Sequence, residues 1–100
     1  MVSIHYQTDR QAREILIQKI GYGEPVKSII VDRGHYNGPE IHTISSTGII
    51  TIQNQRTKKI VTRLIARPGQ IMRYYKSNEC VPEMLIQIAY EHLKMQYNEY

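Results

Sequence analysis

Residues 41–67 read IHTISSTGIITIQNQRTKKIVTRLIAR, and this stretch decides the fold. Residues 41–44 and 49–54 are short runs rich in β-branched side chains, the residues that suit a pleated sheet. A polar connection that ends in Gly48 separates the two runs. Glycine adopts a positive φ without strain, as tight hairpin turns require. The first half of the stretch therefore predicts a β-hairpin.

Two further strands flank this hairpin. Residues 60–67 form the clearest strand of the chain, and Pro68 and Gly69 end it with a turn. We expect Arg63 and Arg67 to share one face of this strand. The opposite face is expected to enter the core and carries Ile60, Thr62, Leu64 and Ala66. Residues 27–33 contain a buried apolar run and predict a strand ahead of the hairpin, followed by a loop over residues 34–39.

A helix is predicted at each end of the chain. The first covers residues 9–20, with Thr8 and Gln11 spaced as a capping box. The second begins at Pro82, because proline suits the first turn of a helix. Its predicted inward-facing residues are Leu85, Ile88, Ala89 and His92.

Residues 71–75 are predicted as a last strand or as an extended tail across the sheet. The order of elements is then an N-terminal helix, a meandering antiparallel sheet of three to five strands, and a C-terminal helix. This is an α+β fold, and at 100 residues we expect one domain over residues 1–100.

Composition excludes several classes of protein. No apolar stretch approaches the roughly 18 residues of a membrane span, and residues 1–10 lack the apolar core of a signal peptide. Cys80 is the one cysteine, so an internal disulfide is impossible and a reducing cytoplasm is expected. Cys80 itself is either a nucleophile or an incidental thiol.

The charge of the chain is concentrated in one segment. Residues 41–78 contain seven of the thirteen lysines and arginines and no acidic residue, whereas the rest of the chain carries six basic and nine acidic side chains. A contiguous basic segment is typical of a surface that binds polyanions, above all nucleic acid. The alternative is a solvated basic face without a ligand.

Three residues are candidates for catalysis. His35 and His42 flank a short loop, and histidine is the side chain best suited to exchange protons near neutral pH. The Arg67 guanidinium would stabilise charge that grows on a phosphate. The alternatives are that each histidine bonds the loop backbone and that Arg67 locks the following turn. These residues match no standard zinc spacing, so no metal and no cofactor are predicted.

Further residues are candidates for contact with nucleic acid. Arginine offers a rigid donor fork for phosphate, and tyrosine stacks on bases. In an extended segment one of Tyr74 and Tyr75 is packed and the other is available. The predicted nucleic-acid-binding residues are Arg56, Lys58, Lys59, Arg63, Arg73 and Tyr74.

The leading helix, the antiparallel sheet and the basic or histidine residues on it resemble the barnase, EndoU, colicin and RelE-like ribonuclease superfamily. The stretches GPEIH at residues 38–42 and TRLIARPGQI at residues 62–71 also resemble small prophage proteins of uncharacterised function. The resemblance implies metal-independent RNA cleavage with His35 or His42 as acid or base, and with Glu40 as the carboxylate if the scheme is that of barnase. Arg63 and Arg67 would then bind the phosphate, with Tyr74 nearby.

Three functions therefore stand as hypotheses. The first is a small phage or mobile-element protein that engages RNA through a basic sheet surface, with ribonuclease toxin activity as its candidate chemistry. The second is a non-catalytic inhibitor or adaptor that binds a host protein. The third is plain DNA binding without cleavage, with an affinity that falls steeply as the salt concentration rises. The expected partners are RNA or another polyanion, and a host or antitoxin protein, with no membrane.

Overall fold

The computed structural model describes the backbone of residues 2–98 and the side chains of residues 10–96. Within that range the chain forms three helices around one four-stranded sheet. No described helix is both long and apolar enough to cross a membrane. In chain order the elements are α1 (Val2–Ile20), β1 (Pro25–Val31), β2 (Glu40–Ser45), β3 (Ile49–Asn54), β4 (Ile60–Ile65), α2 (Pro68–Met72) and α3 (Glu83–Asn98).

The sheet is a simple antiparallel meander with the strand order β1-β2-β3-β4. Its register places Ile29 opposite His42, His42 opposite Ile52, and Ile52 opposite Thr62. Directly paired residues share a face of a sheet, so these four side chains lie in one row. The structure confirms the predicted α+β fold, with an N-terminal helix, an antiparallel sheet and a C-terminal helix.

The two faces of the sheet pack mainly against different helices, although Leu93 of α3 also packs against the cluster that α1 covers. α3 and the segment around α2 cover one face, which we call the α3 face, and there bury the larger core of Ile44, Ile50, Ala66, Ile71, Tyr74, Leu85 and Ala89. α1 covers one end of the other face, the α1 face. There Leu16 and Ile17 pack on Ile49 and Ile65. Because two helices cover the two faces unequally, part of each face remains open.

The prediction for residues 71–75 was wrong, because they form neither a strand nor an extended tail. Residues Pro68–Met72 form the short helix α2, and a helical turn carries the chain on to Tyr74, whose backbone N–H donates to the carbonyl of Ile71 at 3.1 Å. Ile71 and Tyr74 are three residues apart and both are buried. That spacing matches a helical turn and not the two-residue period of a strand.

Some predicted boundaries also differ. α1 begins at Val2, so Thr8 lies inside the helix and not at its cap; its side chain lies outside the described residues. β4 ends at Ile65, two residues before the predicted end. Ile60 was expected in the core, but 49% of it is exposed. A bulge between Ile52 and Gln53 shifts the register here and turns Ile60 away from the α3 face.

The β2–β3 turn touches α3 directly. Gly48 has a φ of +81°, and a Cβ at this position would lie 2.9 Å from both the Cα and the Cβ of Ala89. Beside it, His92 Nδ1 lies 2.8 Å from the carbonyl oxygen of Thr47. His92 therefore has a structural role, and the pair Gly48 and Ala89 sets how close the helix lies to the sheet.

The close contact between Gly48 and Ala89 predicts that Gly48→Ala strongly destabilises the folded protein. We expect a loss of about 2–4 kcal/mol in the free energy of unfolding, since the left-handed backbone and the clash with Ala89 both add a cost. Gly21→Ala is the matched control: Gly21 has a φ of +86° but open space around it, so only the backbone cost of about 1–2 kcal/mol applies. Urea denaturation of both variants gives the difference, and equal losses would contradict the close contact.

Candidate nucleic-acid site

A cavity of about 350 Å³ lies on the α3 face of the sheet, beside α2. Its floor is apolar and formed by side chains of the sheet, and polar side chains line its walls. The floor residues are Ile29, Val31, Ile50, Ile52 and Leu64. The polar residues are Arg33, His42, Gln70, Arg73 and Tyr74. An apolar floor with a few convergent polar groups is the usual form of a ligand site.

His42 is held in this cavity by its neighbour on the same strand. Residues two apart on a strand share a face, and His42 Nε2 lies 3.1 Å from a carboxylate oxygen of Glu40. Only 12% of the His42 side chain is exposed. A proton on Nε2 donates to Glu40, which leaves Nδ1 with a lone pair that can accept a proton.

Two arginines add positive charge to the cavity. Arg33 follows the end of β1, and Arg73 follows α2, so two separate elements bring them together. Neither guanidinium makes a hydrogen bond or an ion pair with any of the residues that the structure describes. Their donors are therefore available to an anion, and a guanidinium matches phosphate oxygens in a bidentate geometry.

Tyr74 contributes a buried hydroxyl. The residue is 4% exposed, and its hydroxyl oxygen has no hydrogen-bond partner among the described residues. Burial raises the pKa of Tyr74 to about 12, so the phenol stays protonated and can donate. A buried polar group without a partner costs free energy, and a ligand in the cavity that accepts from this hydroxyl would offset that cost. Tyr74 is the packed member of the pair Tyr74 and Tyr75, although the segment that carries it is not extended.

The three predicted catalytic residues do not share this cavity. His42 lines it, whereas His35 and Arg67 are absent from its walls. His35 lies in the exposed loop between β1 and β2, where its carbonyl accepts a hydrogen bond from the backbone of Gly38. Arg67 precedes α2 and lines a neighbouring cavity of about 290 Å³ with Arg13 and with Leu93 and Gln96 of α3. Leu64 and Gln70 line both this cavity and the first one.

The predicted nucleic-acid-binding residues divide among three places. Arg73 and Tyr74 line the cavity. Arg63 lies on the α1 face, where its guanidinium is 4.2 Å from the centre of the Tyr22 ring. Arg56, Lys58 and Lys59 lie in the exposed turn between β3 and β4.

Arg56 holds two loops together at this end of the sheet. Its Nη1 donates to the carbonyl oxygen of Tyr36 at 3.4 Å, and a Cβ on Gly38 would lie 2.8 Å from its Nε. The side-chain amide of Asn54 donates to the carbonyl of Asn37 at 3.0 Å in the same region. Arg56 therefore positions the loop that joins β1 to β2.

Sequence reasoning did not include Arg33 and Gln70 in the site. Arg33 lies outside the acid-free segment, so charge clustering along the chain could not select it. The available signal was strand alternation: Arg33 continues the side of β1 that carries Ile29 and Val31. Gln70 could be assigned to the site only once the position of α2 was known. Its side-chain oxygen accepts a hydrogen bond from the backbone N–H of Arg67 at 2.9 Å.

The part of the chain that the structure describes holds no candidate metal site, because it contains no group of three or more histidine, cysteine, aspartate or glutamate side chains that could bind a metal ion.

Comparison with known proteins adds no assignment, because no family model, no curated protein and no solved structure matches this chain.

The pKa of Tyr74 predicts a specific loss of stability in alkali. The folded pKa of about 12 lies above the ordinary value of 10, so the contribution of Tyr74 is complete below pH 10 and is lost as the pH rises toward 12. Tyr74→Phe removes this dependence. We expect the wild type to lose more unfolding free energy than the variant between pH 8 and pH 11, measured by urea denaturation. Parallel losses would contradict the buried position of the hydroxyl.

Proposed function

We propose that this protein binds RNA at the cavity of Arg33, His42, Arg73 and Tyr74, and that it cleaves the bound phosphodiester without a metal. The observation that carries the proposal is the pairing of two unneutralised arginines with a carboxylate-oriented histidine around one apolar floor. An unpaired base suits the floor, and the phosphate suits the arginines. The assignment to a phage or mobile element rests on sequence resemblance and stays a proposal.

The proposed reaction is transesterification by the 2′-hydroxyl of the RNA. His42 Nδ1 takes the proton of the 2′-hydroxyl, and the 2′-oxygen forms a bond to phosphorus while the bond to the 5′-oxygen breaks. The departing oxygen takes a proton from water, which gives a 2′,3′-cyclic phosphate and a 5′-hydroxyl. Arg33 and Arg73 stabilise the added charge on the phosphorane, and Glu40 keeps the imidazole oriented.

Binding is tested apart from cleavage with a fluorescent 2′-O-methyl hexanucleotide, which lacks the nucleophile. Arg73→Gln is expected to weaken binding roughly fivefold or more and to lower the salt slope by about 0.7, the value for one phosphate contact on a single strand. Arg10→Gln is the matched control: it removes the same charge from α1, where Arg10 pairs with Glu14 at an exposed site. Equal affinities for the two variants would contradict binding at the cavity.

Cleavage is tested with an unmodified oligonucleotide in excess chelator. His42→Asn is expected to lower the cleavage rate by a factor of about 10² to 10⁴, the usual contribution of a general base. His35→Asn should leave the rate within about threefold, because His35 does not line the cavity. Mass spectrometry identifies the cyclic phosphate. An unchanged rate in a folded His42→Asn variant would remove His42 from the mechanism.

A second candidate function is supported by the open part of the α1 face. Ile30 and Ile60 lie there in one cross-strand row with Ile41 and Gln53, and 61% of Ile30 is exposed. Such a row suits contact with a protein partner, as expected of an inhibitor or adaptor. Under this function, Ile30→Ser would abolish binding of the protein partner and leave RNA cleavage unchanged.

A further inference from the structure

A second cavity of about 670 Å³ adjoins the first. Ile29, Arg73 and Tyr74 line both cavities, so the two form one continuous groove along the β1 side of the α3 face. Tyr74 lies at the junction, where its hydroxyl lacks a described partner. The groove therefore runs from Arg33 and His42 into the second cavity. At Leu64 and Gln70 the first cavity also borders the cavity of Arg67, on the side away from β1.

The second cavity is also basic. Lys27 and Lys76 line it beside the shared Arg73, and Glu79 is its one acidic lining residue. Lys27 pairs with Glu79 and lies 4.4 Å from the centre of the Tyr75 ring. This pairing, together with the backbone N–H of Lys76, lowers the pKa of Glu79. The backbone N–H of Lys76 donates to Glu79. The exposed ammonium group of Lys76 makes no hydrogen bond or ion pair with a described residue, although its charge also helps to lower the pKa of Glu79.

We infer that the second cavity is a subsite for the phosphate that neighbours the one at His42, so that the groove takes single-stranded RNA of at least three nucleotides. The inference rests on the proposed function and adds that the RNA is single-stranded and has a minimum length. Three arguments carry it: the two cavities are continuous, Arg73 is shared, and Lys76 offers a solvated charge where the next phosphate would lie. The groove is lined on one side by the sheet and on the other by residues 70–79, which suits one strand of RNA and not a duplex.

The test compares Lys76→Gln with wild type on two 2′-O-methyl ligands, a dinucleotide with one phosphate and a hexanucleotide with five. We expect roughly threefold to tenfold weaker binding of the hexanucleotide and unchanged binding of the dinucleotide, because the dinucleotide occupies only the first cavity. Lys76→Arg should retain wild-type affinity for both. Lys19→Gln is the control, since Lys19 is an exposed lysine in the last turn of α1.

Any other outcome contradicts the proposed phosphate subsite in the second cavity. Unchanged hexanucleotide binding by Lys76→Gln, or an equal loss for both ligands, shows that the second cavity holds no separate phosphate. A hexaglutamate peptide that competes as well as the hexanucleotide shows a general site for acidic chains. Binding of the dinucleotide alone would leave the proposed function intact and exclude the subsite, whereas the failure of both ligands to bind the wild type would exclude the proposed function itself.

Discussion

The close contact between the β2–β3 turn and α3 is the constraint on which the rest of the structure depends. Gly48 lets the helix backbone at Ala89 approach the turn, and His92 fixes the contact with the carbonyl of Thr47. α3 is thereby held over one end of the sheet, where Ile44 is buried. The other end of the same face is not covered by α3, and the cavity lies there.

Several elements contribute the polar side chains at the uncovered end of the sheet. Antiparallel pairing places His42 in the same row as Ile29 and Ile52, so a titratable group stands among apolar side chains. α2 then turns the chain back over the sheet and brings Arg73 and Tyr74 to the cavity. Since the arginines have no carboxylate partner among the described residues, the cavity carries uncompensated positive charge, which favours an anion over a cation.

The sheet could be predicted because its signals are local. The hairpin around Gly48 and the strand that contains Leu64 follow from alternation and turn chemistry, and both are confirmed. Residues 71–75 could not be predicted, since their helical turn depends on burying Ile71 and Tyr74 against α3 and the sheet. A short segment of this kind takes its conformation from tertiary packing.

The candidate site could be predicted only in part, for a related reason. His42 and Arg73 were recognised by residue type, but their common cavity depends on the path of α2. The basic segment is contiguous in sequence, yet the fold distributes it: Arg63 lies on the α1 face, Arg56 holds two loops together, and Arg67 lines a different cavity. Charge counted along a chain does not show which side of a sheet each side chain occupies.

The central claim is that RNA binds on the α3 face of the sheet. Isoleucine methyl NMR tests it most directly, because neighbouring isoleucines of β1 point to opposite faces. Titration with a single-stranded 2′-O-methyl hexanucleotide should shift the methyl signals of Ile29 and Ile52, which line the cavity, and leave those of Ile30 and Ile60 in place. Shifts confined to Ile30 and Ile60, or no shifts at a saturating concentration, would contradict the account.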